Sequence, residues 1–251
     1  MRRRIEARGV HTSLFVCATP RTGSNLLDGL LASTGLVGEP EEDFGAVLEE
    51  QVLAKEGRAG LADYLVHCAA RAGATGVYAT KLHLDQHDLF LHLLRLFRGA
   101  HGLADAELIE AMFPHPRFVW LSRKDLVAQA VSWWRARQSG AWIASDEPRS
   151  DPFFDFEAID AAVHRALEQA ERWRRWFASE RIEPLPIAYE DLVADPTRIV
   201  REVLAFAGID APADLVVKAR ITKQADSVSE EWIERYRSLA RASGAEPRTV
   251  A

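Results

Sequence analysis

Strand-like and helix-like segments alternate along this chain. That order predicts a single-domain α/β fold with a central, mostly parallel sheet flanked by helices on both faces. Three observations carry the expectation. The alternation runs from end to end with no convincing internal repeat. The stretch from Leu14 to Leu27 reads as a strand, a small-residue turn and an amphipathic helix. The residues best suited to chemistry, Thr19–Asn25, Lys81–His83, Arg123 and Tyr189–Asp191, all fall where strands end. Open α/β sheets bind their ligands at those ends.

In chain order, residues 1–12 read as a flexible N-terminal lead-in and residues 13–251 as one domain. Leu14–Ala18 is the first strand, and Ser24–Thr34 the first helix, with Leu26, Leu27, Leu30 and Leu31 on one face and Gly35 as its stop. Gly38 and Pro40 break the pattern, and the acidic cluster Glu39, Glu41, Glu42 and Asp43 reads either as a solvated surface loop or as a general base with sugar-hydroxyl acceptors near the end of the first helix. A helix over Leu61–Ala72, a strand over Val77–Leu82 and a helix over Gln86–Arg98 follow. Arg117–Ser122 is apolar enough for a buried strand, and Asp125 can cap the next helix, whose inner face is Val127, Ala130, Val131 and Trp134. Gln138–Asp155 is a loop long enough to suggest a lid or a substrate-contacting role. Phe156–Glu180 is the clearest helix, Glu183–Tyr189 a short or edge strand, Asp195-Pro196 a helix start, and a last helix begins near Ser229.

Composition narrows the function classes. The 251 residues carry a formal net charge of −6, which argues against a broad nucleic-acid surface. Met1-Arg2-Arg3-Arg4 is not followed by an apolar signal core, and no apolar run is long enough to span a bilayer. Only Cys17 and Cys68 are present, so neither a disulfide framework nor a cysteine metal site is expected, and a cytoplasmic location is the default.

The turn Thr19-Pro20-Arg21-Thr22-Gly23-Ser24-Asn25 carries the chemistry. A strand feeding a helix through such a turn aims unpartnered backbone N–H groups at one point, and the helix dipole adds positive potential there. Arg21 contributes a full charge, and Thr22, Ser24 and Asn25 offer side-chain donors. The bland alternative is an ordinary corner with an exposed arginine. The turn lacks the second glycine, the lysine and the following hydroxyl of a nucleotide P-loop. It suits an anion held by amides and an arginine, with no metal.

Pro20-Arg21-Thr22-Gly23-Ser24-Asn25-Leu26-Leu27 resembles the 5′-phosphosulfate loop of sulfotransferases. Together with Gly38-Glu39-Pro40-Glu41-Glu42-Asp43-Phe44 it resembles the bacterial family typified by the mycobacterial trehalose 2-sulfotransferase. Thr80-Lys81-Leu82-His83, Gln129–Ala136, Lys223-Gln224-Ala225-Asp226 and Glu231–Arg237 agree, in order, from about residue 13 to about residue 240. The resemblance implies a donor, 3′-phosphoadenosine 5′-phosphosulfate, whose sulfuryl group passes to a hydroxyl of a carbohydrate or glycolipid-type acceptor. It implies donor-binding roles for Arg21, Thr22, Gly23, Ser24, Asn25, Arg123, Ser132, Tyr189 and Lys223, and acceptor contacts at Pro20, Glu39, Glu42, Asp43 and Phe44. Lys81 is a second cation for the leaving phosphate.

Two points stay open at this stage. Ser132 lies nine positions after Arg123 and eight after Lys124, so either cation could partner it on the 3′-phosphate. The base is Glu42 or His83: the Gly-Glu-Pro-x-Glu context favours Glu42, whose carboxyl would need a raised pKa, whereas an imidazole titrates near neutrality unaided. The segment between Phe44 and Tyr78 is shorter than in the mycobacterial relative, which argues against trehalose as the acceptor and leaves another sugar, a lipid-linked glycan or a different alcohol open; a homodimer is compatible with the sequence. A P-loop kinase or NTPase, or a non-catalytic nucleotide-binding module, are the rival readings.

Overall fold

The computed structural model describes residues 1–45, 54–98, 102–142, 146–217 and 227–243. Its centre is a four-stranded, all-parallel sheet in the order β2-β1-β3-β4. The strands are β1 (Thr12–Ala18), β2 (Val77–His83), β3 (Pro116–Ser122) and β4 (Leu185–Ala188). Register sets Ala18 opposite His83, and Cys17 opposite both Leu82 and Trp120. The ends of β1 and β2 are therefore level, and the loop after β1 opens beside the last residue of β2.

Every residue of β1 is buried, because helices cover both sides of it. Strand alternation sorts the side chains between two cores. Leu14, Val16 and Ala18 face one core with α2 (Ser24–Ala32) and α9 (Pro196–Phe206). Phe15 and Cys17 face the other with α3 (Ala54–Ala69), α4 (Leu84–Arg98), α5 (Asp105–Met112) and α7 (Phe156–Ser179). A third cluster joins α6 (Leu126–Ser139) and α7 to α10 (Ser227–Ala242). The long helices start where the sequence puts their caps. Asp125, Asp155 and Asp195 each accept from the backbone N–H three residues on, all at 3.0 Å. Such caps are worth about 1 kcal/mol each.

Several expectations are corrected. Within residues 1–12, α1 (Arg2–Glu6) forms, Ile5 and Val10 are buried, and Arg4 pairs with Asp63 at 2.5 Å. The acidic segment keeps Glu39, Glu41 and Glu42 exposed, but its backbone is tied to β2 and Asp43 is buried. Val37 and Glu41 bridge to β2, and the Glu41 carbonyl accepts from the Lys81 N–H at 2.9 Å and the Thr80 hydroxyl at 3.0 Å. Tyr189 does not end a strand; β4 stops at Ala188 and Tyr189 opens α8 (Tyr189–Ala194). Helices α5 and α8 have no counterpart in the sequence expectation. Helix α6 runs through Ser139, past the expected loop start at Gln138; residues 140–142 and 146–155 lie in no helix or strand, and 143–145 fall outside the described residues. No helix among the described residues is long and apolar enough to cross a membrane.

Candidate active site

The loop between β1 and α2 is built to hold one shape. Arg21 has φ of +68° and Gly23 φ of +87°, so the backbone reverses twice within three residues. At Gly23 a side chain is excluded on two counts: the positive φ, and the ring of Tyr189, whose Cδ2 would lie 2.4 Å from an added Cβ. The Thr22 hydroxyl, expected to face an anion, donates instead to the Thr19 carbonyl at 2.8 Å. From α6, the buried amide of Gln129 donates to the Thr19 hydroxyl at 3.1 Å and the Pro20 carbonyl at 2.9 Å. From α7, the Trp173 indole N–H donates to the Ala18 carbonyl at 3.0 Å. The first bonds inside α2 run from Leu26 and Leu27 to the Gly23 carbonyl, so the N–H groups of Ser24 and Asn25 precede the helical ladder and point out of its end.

Two arginines close over this helix start. Arg21 donates through Nε to the Ser132 hydroxyl at 2.9 Å and through Nη1 to the Trp142 carbonyl. Arg123 donates through Nη1 to the Arg21 carbonyl at 3.2 Å. Its guanidinium lies over the Tyr189 ring, 4.5 Å from Cζ to the centroid. The Arg123 Nε is buried with no hydrogen-bond partner. Burial lowers the pKa of both guanidinium groups, and Arg123 lowers that of Arg21 further. Burial is the larger cause at both, and only at Arg21 does a neighbouring cation add to it; an anion would offset the cost of burying these charges. Ser132 thus sits on Arg21, not on Arg123. Lys124 points elsewhere, with its ammonium on the two Asp191 oxygens at 3.1 and 3.2 Å. Of the two candidate cations, Arg123 is the one that contacts the β1–α2 loop.

A second cluster adjoins the loop. The buried Lys81 ammonium contacts Asn25 Oδ1 at 2.5 Å, Asp28 Oδ2 at 3.0 Å and Glu42 Oε1 at 3.2 Å. Burial lowers its pKa, and the Asp28 and Glu42 carboxylates outweigh that, so the net shift is upward. Glu42 Oε1 lies 3.5 Å from His83 Nε2, and Oε2 accepts from Gln86 Nε2 at 2.7 Å. The Gln86 Oε1 accepts from the His83 N–H at 3.2 Å. Glu42 keeps 45% of its side chain exposed, whereas Lys81 and His83 are buried. The hydrogen bond with His83 and the charges of His83 and Lys81 overcome burial and hold the Glu42 carboxyl well below the usual carboxylate range. The expected upward shift from acidic neighbours is therefore absent.

The neighbours of Glu42 point away. Asp43 is buried, with its carboxylate on Arg71 and on the Tyr78 hydroxyl at 2.6 Å, while its carbonyl accepts from the Tyr64 hydroxyl at 2.8 Å. Phe44 is buried on Phe90, 4.3 Å between centroids. Both were assigned to the acceptor on sequence; both belong to the core. Glu39 and Glu41 are exposed, and Pro20 is half-buried. Lys223 lies outside the described residues. Asp28, Gln86 and Gln129 escaped the sequence reading.

The loop thus gathers two arginines at an open helix end, and one lysine joins it to an exposed carboxylate. The chain belongs to the Stf0 sulphotransferase family, whose model matches residues 13–239. It is 32% identical over 266 residues to the trehalose 2-sulfotransferase of Mycolicibacterium smegmatis, covering 93% of this chain and 97% of that protein. It is 33% identical over 259 residues to the trehalose 2-sulfotransferase of Mycobacterium tuberculosis, covering 90% and 94%. Among solved structures, the sulfotransferase domain from the curacin biosynthetic pathway aligns with a TM-score of 0.44 at 14% identity, covering 94% of this chain and 98% of that one.

Proposed function

We propose that this chain transfers a sulfuryl group from 3′-phosphoadenosine 5′-phosphosulfate to a hydroxyl of a carbohydrate or glycolipid-type acceptor. The observation that carries the reading is the reach of one ammonium: Lys81 Nζ contacts both Asn25 of the anion loop and Glu42 of the acidic segment. Anion-holding and proton-accepting groups are thereby set side by side, as an in-line displacement needs. The unpartnered Arg123 Nε and the open end of α2 fit a donor with two anionic ends.

When bound, the donor supplies the activated sulfuryl group and a phosphate that leaves with added negative charge. Arg21 and the N–H groups at the start of α2 stabilise that charge, and because Gln129 and Trp173 fix the loop they do so without rearranging. Arg123 takes the 3′-phosphate through its free Nε, with Tyr189 beneath it beside the adenine. Lys223 is a further 3′-phosphate ligand by resemblance.

Glu42 accepts the acceptor's hydroxyl proton. It is the exposed member of the cluster, so an incoming hydroxyl meets it first. Its low pKa means that it takes the proton only as the attacking oxygen gains positive charge, late in bond formation. His83, Lys81 and Gln86 keep it ionised and aimed. The homologues' printed activity makes a disaccharide hydroxyl the first acceptor to try. The free, buried thiols of Cys17 and Cys68 suit a reducing cytoplasm. The test is incubation with sulfur-labelled donor and a panel of sugars and glycolipids, trehalose among them. One added sulfuryl group by mass on a panel member supports the reading; label retained wholly in the donor across the panel, with no binding of the donor product, sinks it.

A further inference from the structure

Asp28 has no part in the mechanism above, yet it is the most deeply placed acid of the site. It lies on α2, one residue short of a full turn after Asn25, and its carboxylate is buried between the helix and β2. Oδ2 is 3.0 Å from Lys81 Nζ, and Oδ1 is buried without a partner. A buried carboxylate with one oxygen left unpartnered is costly. Something else accounts for an acid at this position. Its one ion-pair partner is the ammonium that also touches Asn25 and Glu42.

We propose, on the sulfotransferase reading, that Asp28 is a positioning residue: it anchors Lys81 from below so that a single ammonium holds Asn25 of the anion loop and Glu42 in fixed relation. The geometry supports this directly. A lysine stem is flexible, and an ammonium facing only an exposed carboxylate would follow that carboxylate into solvent. The buried contact at 3.0 Å keeps Nζ at the level of the loop. With Nζ there, Asn25 offers its carbonyl oxygen inward, which leaves its amide N–H groups to face the anion site.

The groups facing Asp28 are Lys81 and His83 from β2 and Glu42 from the segment along it. Burial raises the Asp28 pKa to about 6, against the opposing pull of Lys81. Protonation on acidification therefore weakens the anchor, and Asp28→Asn makes that weakened state permanent.

The test is a double-mutant cycle in the full chain. Asp28→Asn and Lys81→Met are each expected to lower kcat tenfold or more. The double variant, which removes both buried charges and so avoids an unpaired ammonium, should be no slower than the worse single variant. Additive losses, or full activity in Asp28→Asn, overturn the proposal. A second readout needs no turnover: the side-chain amide resonances of Asn25 followed by nuclear magnetic resonance from pH 4.5 to 8. They should pass through a transition near pH 6 in the wild type and in His83→Asn, and show none in Asp28→Asn. A transition that survives Asp28→Asn or vanishes in His83→Asn refutes the anchor. If the wild type transfers no sulfuryl group to any acceptor, the functional reading fails, and the Asn25 titration still decides the role of Asp28.

Discussion

The Cζ of Arg123 sits over the ring of Tyr189, 4.5 Å from its centroid, and the buried Nε of the same guanidinium has no partner. A stacked arginine with an idle donor is a preorganised half of a bidentate contact. Arg123→Ala should weaken adenosine 3′,5′-bisphosphate binding by roughly ten- to hundredfold, from a charge-assisted bond worth about 1.5–3 kcal/mol. Adenosine 5′-phosphosulfate, which lacks the 3′-phosphate, should lose far less. Calorimetry with both ligands checks this; equal losses would place Arg123 elsewhere on the donor.

Gly23→Ala probes the same contact from the loop. The new Cβ must displace the Tyr189 ring and sit at a φ of +87°. The conformational part alone costs about 1–2 kcal/mol. The variant should melt lower and bind the bisphosphate more weakly, with both effects partly relieved in Gly23→Ala/Tyr189→Ala. No relief in the double variant would mean that the ring is not the obstacle.

Glu42→Gln keeps the shape and removes the proton acceptor. Turnover should fall by about a hundredfold or more while bisphosphate affinity stays. His83→Asn should cost less, through aim alone. The reverse ranking moves the base to His83. The Glu42 carboxyl is held well below its usual range, so it is ionised at every working pH. In stability the sign follows: the lowered pKa adds stability that is present above the unfolded-state value of about 4.3 and is lost as pH falls below it. The melting difference between wild type and Glu42→Gln should therefore shrink on acidification through pH 4.

Asp43→Ala should act on the fold. It strips the partner from the buried Tyr78 hydroxyl and from Arg71. Each loss is worth about 1–3 kcal/mol, at roughly 2–4 °C of melting temperature per kcal/mol. A thermal melt measures it. An unshifted melt with a raised acceptor KM would return Asp43 to the acceptor.

What could be read from the sequence, and what could not, follows from periodicity. The β1–turn–α2 unit was legible because the apolar period changes from strand to helix across Gly23, and Arg123 was legible because Arg117–Ser122 is apolar enough to place it at a strand end. The burial of Asp43 and Phe44 was not legible because Gly38 and Pro40 hide the pairing of this segment with β2. In the structure that segment runs along β2, so alternate residues face opposite ways: Glu42 toward Lys81 and His83, Asp43 toward Tyr78. Tyr189 was placed on a strand because Pro184 and Pro186 blur where β4 ends. Its ring reaches Gly23 because it opens a helix instead. Asp28 was invisible because nothing local distinguishes a buried anchor from a solvated acid; its meaning depends on Lys81, more than fifty residues away.

The central claim is a donor site that reads a 3′-phosphate and a 5′-anion through arginines and amides. Isothermal titration of the full chain with adenosine 3′,5′-bisphosphate and with ATP, each with and without Mg²⁺, tests it most directly. The account predicts that the bisphosphate binds without Mg²⁺, at least about tenfold more tightly than ATP, a gap of about 1.4 kcal/mol. ATP binding as tightly or more tightly, and only with Mg²⁺, would contradict it.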